Sequence, residues 1–250
     1  MTVHPEAAVG FGRAADAYER GRPGYPSEMV GWLCGRVGIG AGRRVLDLAA
    51  GTGKLTRALV ATGASLMAAD PLHVMLRTLR DVTGGVVPAV TATAQALPLA
   101  DGTLDGIVVA QGFHWFDSDA ALTEMLRVLA PGGAIGLVWN VRRPDDPLQA
   151  AISAIIDPHR RDTPSHASGR WRRVVDRSVL VDVTASHAVA HAVTTDVDGL
   201  VDRILSISFV SALPDAERMA VERRVREVGT TAGPTPVLRY RCEGYLLTPR

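Results

Sequence analysis

The 250-residue chain has almost no net charge: 27 Lys and Arg stand against 26 Asp and Glu, a formal charge of +1 at pH 7. That leaves no global electrostatic case for a nucleic-acid partner or an acidic membrane surface. Cysteine is scarce. Cys34 and Cys242 lie far apart, form no metal or redox spacing, and are expected to be buried thiols of a reducing compartment. The N-terminal MTVHPEAAVG has neither the basic nor the apolar region of a signal peptide. No apolar run approaches the roughly 20 residues that span a bilayer. There is no internal repeat and no low-complexity tract. The expectation is a cytoplasmic protein, no membrane partner, and a single domain over 1–250. A chain of this size can bury about 70% of its unfolded surface.

What is present centres on RVLDLAAGTGKLT, Arg44 to Thr56. An apolar run ends at an acid, a Gly-rich turn follows, and a helical pattern begins near Lys54. Val45, Leu46 and Leu48 suit a strand buried on both faces, and Gly51 and Gly53 permit a sharp turn close to a ligand. Such a turn serves NAD, FAD or S-adenosylmethionine equally, or is only a tight connection.

Around it strands and helices alternate. Strands are expected at Arg44–Leu48, Ser65–Asp70, Val86–Thr91, Leu104–Ala110 and Ala134–Trp139. Helices are expected at Phe11–Arg20, from Pro26 through Val37, Lys54–Thr62, Leu72–Asp81 and Ser118–Leu129, the last stopped by the PGG at 131–133. This predicts an α/β fold with a mostly parallel, doubly wound sheet. After Asn140 the pattern changes to an irregular, basic, helical stretch over 145–180. An alternating strand follows, with Val181, Val183, Ala185, His187, Val189, His191 and Val193 on one face. Helices at Asp198–Phe209 and Pro214–Val228 and a strand at Pro236–Leu247 close the chain.

Four features fall at the carboxyl ends of the first four strands, where such sheets bind ligands. Asp47 precedes the turn AAGTG. Asp70 stands 19 positions after Gly51, the spacing of an acid that accepts from a ribose diol; its structural alternative is a helix cap. TAQALPLADGTLD offers the backbone of Ala94 or Gln95 to an adenine edge, with Leu97 and Pro98 as walls, or is only a turn. AQGFHWFD sets Gln111 and His114 among three aromatic residues, a common composition for a binding wall.

As a set, VLDLAAGTGKLT, Asp70, ALPLADGTLD, QGFHWFD and LRVLAPGGAIGLVWN resemble the class I S-adenosylmethionine-dependent methyltransferases of the methyltransferase type 11 group. The branch with FHWFD and WN motifs is the nearest likeness; FGRAADAYERGRPGYP and DRILSISFVSALPDAER are similar to its outer segments. The resemblance implies a Rossmann-like seven-stranded mixed sheet in the order 3-2-1-4-5-7-6, with helices on both faces. It also implies a lid built from an N-terminal helical segment (1–40) and a substrate-side insert (141–180).

The cofactor implied is S-adenosylmethionine, with S-adenosylhomocysteine as product. Asp47, Ala49, Gly51 and Gly53 would meet its amino acid end, Asp70 and Pro71 the ribose, and Ala94 and Gln95 the adenine. Gln111 would lie under the methionine portion, while Tyr18 and Arg22 close over the carboxylate. Two positions depart from the family pattern: Ala49 replaces a usual glycine and Gln95 a usual acid.

Methyl transfer to an O, N or C atom of a small-molecule acceptor is an in-line displacement with a neutral leaving group, so alignment supplies much of the acceleration. His114 is the candidate base, because an unperturbed imidazole titrates near neutrality; the alternative is that it only packs or hydrogen-bonds. His187 and His191 are too few for a metal site. The basic run Arg160, Arg161, Arg170, Arg172 and Arg173 is a solvated helix face or an attractor for an anionic substrate. Two competing functions remain: a non-catalytic adenosyl-ligand-binding protein, and a nicotinamide oxidoreductase. The second expects a third glycine where Thr56 stands.

Overall fold

A computed structural model describes the backbone from residue 15 to 250 and the side chains from residue 18. Residues 11–14 of the expected first helix, and 1–14 of the expected N-terminal lid, lie outside the described residues. In chain order the elements are α1 (Ala15–Gly21), α2 (Ser27–Val37), β1 (Arg44–Leu48), α3 (Lys54–Val60), β2 (Ser65–Asp70), α4 (His73–Val82), β3 (Ala89–Thr91) and β4 (Leu104–Ala110). A 3-10 turn at Phe113–Trp115 leads to α5 (Asp119–Val128) and β5 (Leu129–Arg142). Then follow α6 (Pro147–Ile156), 3-10 turns at Asp157–His159 and His166–Ser168, α7 (Arg170–Arg177), β6 (Val181–Thr194), α8 (Val197–Leu205), α9 (Ser208–Ser211), α10 (Asp215–Thr231) and β7 (Val237–Pro249).

The strands form one seven-stranded sheet in the order β3-β2-β1-β4-β5-β7-β6. β1 to β5 run parallel, and β7 is antiparallel to both β5 and β6. The chain leaves β1 toward β2 and β3, then crosses back to β4 on the other side of β1. The order therefore reverses at the carboxyl ends of β1 and β4, which opens a crevice there.

Helices cover both faces. Leu46, Leu48, Ile107, Leu137 and Trp139 point to the layer of α5 and α7, while Val45, Val108 and Val138 point to that of α2, α3 and α4. β1 is buried on both faces because its apolar residues are consecutive rather than alternating. α2 lies very close to the sheet. A Cβ at Gly106, Gly136 or Gly244 would fall 2.5–2.8 Å from Val37, Leu33 or Met29 respectively. Those three glycines, on β4, β5 and β7, make the shallow trough in which α2 rests. A third apolar cluster joins α6, α8, α9 and α10 to Leu238 and Tyr240 at the start of β7.

Three expectations are corrected. β3 begins at Ala89 rather than Val86, which is exposed. α5 ends at Val128, before the PGG, and β5 begins at Leu129; residues 130–133 are absorbed as an irregularity between Leu104 and Gly106 on β4. The alternating residues of β6 do not share one face of the sheet. A bulge between Val183 and Ala185 puts Val183 opposite Leu247 and Ala185 opposite Leu246. Val181 and Val183 thus join the α5/α7 side, whereas Ala185 and Val189 join the α2 side.

Candidate functional site

The β1 turn is made by three left-handed residues within five: Ala49 (φ 58), Gly51 (φ 56) and Gly53 (φ 83). Gln111, after β4, is left-handed as well (φ 58). Two non-glycine residues in this conformation, at the ends of adjacent strands, mark the crevice as the place where backbone strain is held. Gly53 has a packing role: a Cβ there would meet Leu79 of α4 at 2.9 Å.

Asp70 joins two turns. Its Oδ2 accepts from the Gly51 N–H at 3.0 Å and its Oδ1 from the Leu72 N–H at 2.8 Å. Burial pushes the carboxyl up to about 6, partly opposed by those two N–H groups. Asp47 lies below, in mid-sheet, with no exposure. Its Oδ2 accepts from the Thr56 hydroxyl at 2.6 Å, while Oδ1 has no partner. Burial pushes this carboxyl up to about 7; the Thr56 bond pulls it down and the Asp70 charge adds to the rise.

α1 is tied over the turn by Glu19. Its side chain meets Lys54 at 3.2 Å and Arg57 at 2.7 Å, and its carbonyl accepts from Lys54 Nζ. That clamp places the Tyr18 hydroxyl 3.8 Å from where a Gly51 Cβ would stand.

A cavity of about 870 Å³ opens between these parts. Eight of the expected residues line it: Tyr18, Ala49, Gly51, Asp70, Pro71, Ala94, Gln95 and Gln111. Asp47 and Gly53 do not; one lies under the turn and the other inside it. Thr93 lines the cavity alongside Ala94 and Gln95, in place of Leu97 and Pro98. Leu97 is instead core, its N–H bound to Glu124 at 2.6 Å. Leu72, Met75, Trp115 and Phe116 also line it.

A second cavity of about 1350 Å³ adjoins the first and shares Tyr18, Gln111 and Trp115 with it. Arg22 and His114 are found here. The indole N–H of Trp139 donates to His114 Nδ1 at 3.2 Å, so the imidazole carries its proton on Nε2. Burial, then the proximity of His166 and Arg22, pushes His114 down to about 3. The imidazole is therefore neutral at physiological pH, its one free lone pair is engaged, and what it offers the cavity is a donor. Burial and the neighbouring His166 and Arg22 thus oppose the near-neutral titration of an unperturbed histidine.

The remaining cationic and histidine expectations separate. Arg160 lines the second cavity and lies over the Phe209 ring. The Arg170 and Arg172 side chains are exposed; the first pairs with the buried Asp117 and the second with the exposed Asp176. His187 stacks on Trp32 and meets Glu28. Among the described residues no cluster of three or more potential metal ligands exists. No described helix is long and apolar enough to cross a membrane.

Sequence reasoning did not find Arg142 and Arg203 as cavity residues. The signal available for Arg203 was an arginine at the head of the largely apolar run RILSISFV; Arg142, at the end of β5, carried none.

A family profile described as a methyltransferase domain matches residues 46–137. An uncharacterised methyltransferase of Mycobacterium tuberculosis is 39% identical over 198 residues, spanning 73% of this chain and 78% of that one. An uncharacterised methyltransferase-like protein of Schizosaccharomyces pombe is 33% identical over 215 residues, 86% and 83% of the two chains. Among solved structures, one assigned as a type II methyltransferase from Anaeromyxobacter dehalogenans superposes with a TM-score of 0.67 at 20% identity, covering 90% of this chain and 97% of that one.

Proposed function

The chain belongs to the class I S-adenosylmethionine-dependent methyltransferase family, and from that premise we propose that it transfers a methyl group from S-adenosylmethionine to an O, N or C atom of a small-molecule acceptor. The family and fold imply this methyl donor. The observation that carries its placement is Asp70, a carboxylate fixed by the Gly51 and Leu72 N–H groups at the rim of the 870 Å³ cavity. Its outward lone pairs suit a ribose diol. Ala94 and Gln95 border the adenine end, with Pro71 beside the ribose. Tyr18, Ala49, Gly51 and Gln111 surround the amino acid end, whereas Arg22 lines the adjoining cavity instead.

When bound, S-adenosylmethionine supplies a sulfonium methyl group whose leaving sulfur is neutral, so no acid is required. The protein's task is alignment. The larger cavity would seat the acceptor, since it meets the first at Tyr18, Gln111 and Trp115. His114 would donate through Nε2 rather than abstract a proton. The described part of segment 1–40 contributes Tyr18 and Arg22 to the cavities, and segment 141–180 contributes Arg142 and His166. We read both as cover for the acceptor.

Calorimetric titration with S-adenosylmethionine, S-adenosylhomocysteine and NAD tests this assignment. Binding of both adenosyl ligands without NAD is expected. NAD binding with neither adenosyl ligand would overturn it.

A further inference from the structure

The second cavity carries more positive charge than its walls neutralise. Arg22, Arg142, Arg143, Arg160 and Arg203 border it, against one acid, Asp157. Two of these cations are accounted for: Arg160 meets Asp157 at 2.6 Å, and Arg143 is paired with Asp145. Arg142 reaches Asp157 only at 3.8 Å, and its Nη1 is buried without a partner. Arg203 is 7% exposed; its Nε donates to the Tyr240 hydroxyl at 3.3 Å and its Nη1 is likewise buried and unpartnered. Arg22 spends its N–H groups on Ser206, through Oγ and the carbonyl oxygen, and stacks on Tyr18. Among the described residues neither Arg22 nor Arg203 has a carboxylate within ion-pair distance.

The three side chains come from just past α1, the end of β5 and the last turn of α8. They converge although they repel: burial and the Arg203 charge together press Arg22 and Arg142 down to about 10. A buried guanidinium with unused donors is costly, and apolar replacements of such groups are often neutral or stabilising. Arginine also presents a planar fork that matches the two oxygens of a carboxylate or phosphate. Arrangements of this kind are kept where a ligand completes them.

We propose that the cavity bordered by Arg22, Arg142 and Arg203 is an oxyanion site, and that it receives a carboxylate or phosphate group of the methyl acceptor. The first half rests on the cavity alone; the second rests on the methyltransferase reading above. An acceptor held this way would lie next to the Gln111 and Tyr18 boundary with the adenosyl pocket.

The test uses the full chain, with and without S-adenosylhomocysteine, titrated at matched ionic strength with benzoate, inorganic phosphate and neutral benzamide. Benzoate or phosphate is expected to bind and to raise the melting temperature, with benzamide at least about tenfold weaker. Which anion binds separates a carboxylate from a phosphate acceptor. Arg203→Met should weaken the anion at least about tenfold while the ligand-free variant melts at or above the parent. Arg142→Met is the second variant, with the same expectation. Equal binding of benzoate and benzamide, or lower melting in both variants with an unchanged anion response, would overturn the proposal. Loss of S-adenosylhomocysteine binding with the anion response intact would count against the methyltransferase reading and leave the oxyanion site standing.

Discussion

The Gly51 N–H donates to Asp70 Oδ2 at 3.0 Å, so the acid that ends β2 holds the turn that follows β1. The same carboxylate fixes the Leu72 N–H at the start of α4. Asp70 is thus at once the helix cap and the rim of the cavity, two roles that looked like alternatives from the sequence alone. Asp70→Ala is expected to weaken S-adenosylhomocysteine binding by about 1–3 kcal/mol, the scale of lost charge-assisted hydrogen bonds. Calorimetry measures it directly. Unchanged affinity would leave Asp70 a structural residue only.

Asp47 has a different signature. Its carboxyl lies near 3.9 in an unfolded chain but is pushed up to about 7 in the fold. The folded state therefore binds the proton more readily, and stability falls as pH rises between those values. Asp47→Asn keeps an oxygen for the Thr56 hydroxyl and removes the buried charge. The variant is expected to be more stable than the parent at pH 8 and to lose much of the slope between about pH 4 and 7. Of the slope that remains, Asp70, raised to about 6, contributes with the same sign and His114, pushed down to about 3, with the opposite sign. Adenosyl-ligand affinity should change little, because Asp47 does not line the cavity. Denaturant melts at pH 5 and pH 8 report the first effect; destabilisation at pH 8 would contradict it.

For His114 the readout needs no acceptor. Nitrogen-detected NMR of the imidazole should show a bare Nδ1 and a protonated Nε2, with no titration between about pH 5 and 8. Trp139→Phe removes the N–H that occupies Nδ1 and should move the tautomer equilibrium. A titration near neutrality in the parent would restore the general-base role.

The strands that hold the ligand were legible because their burial is local: β1, β2 and β4 are short apolar runs that end at an acid or a polar turn, and their bounds match the expected ones. The reversal of strand order, and with it the crevice, followed from the family resemblance. The bulge in β6 was not legible, since residues two apart remain half-buried whichever side they face when both sides of the sheet are covered. The surroundings of His114 were not legible for a related reason: burial, His166 and Arg22 depress its imidazole, and those two residues lie 52 and 92 positions away. Arg142 and Arg203 belong to the cavity only through the packing of α8 against the start of β7, which no local pattern encodes.

Ala49 stands where the family resemblance expects a glycine, and its backbone gives that expectation a measurable form. At φ 58 the alanine occupies a conformation that glycine adopts freely. Ala49→Gly is therefore expected to stabilise the chain by up to about 1 kcal/mol, less whatever contact the methyl group makes. That contact is with Gly112 on the neighbouring strand end: a Cβ at Gly112 would stand 2.8 Å from the Ala49 Cβ and 3.3 Å from Val109. Gly112→Ala alone should cost about 1–3 kcal/mol through this overlap. In the Ala49→Gly background the nearest obstacle is gone, and the same substitution should cost clearly less. The two changes form a double-mutant cycle in which coupling, not the single values, is the test. Strict additivity in denaturant melts would show that the two strand ends are not in contact. Coupling would place Ala49 and Gly112 as one packed unit, with the alanine methyl filling the space that a glycine at 49 would leave open.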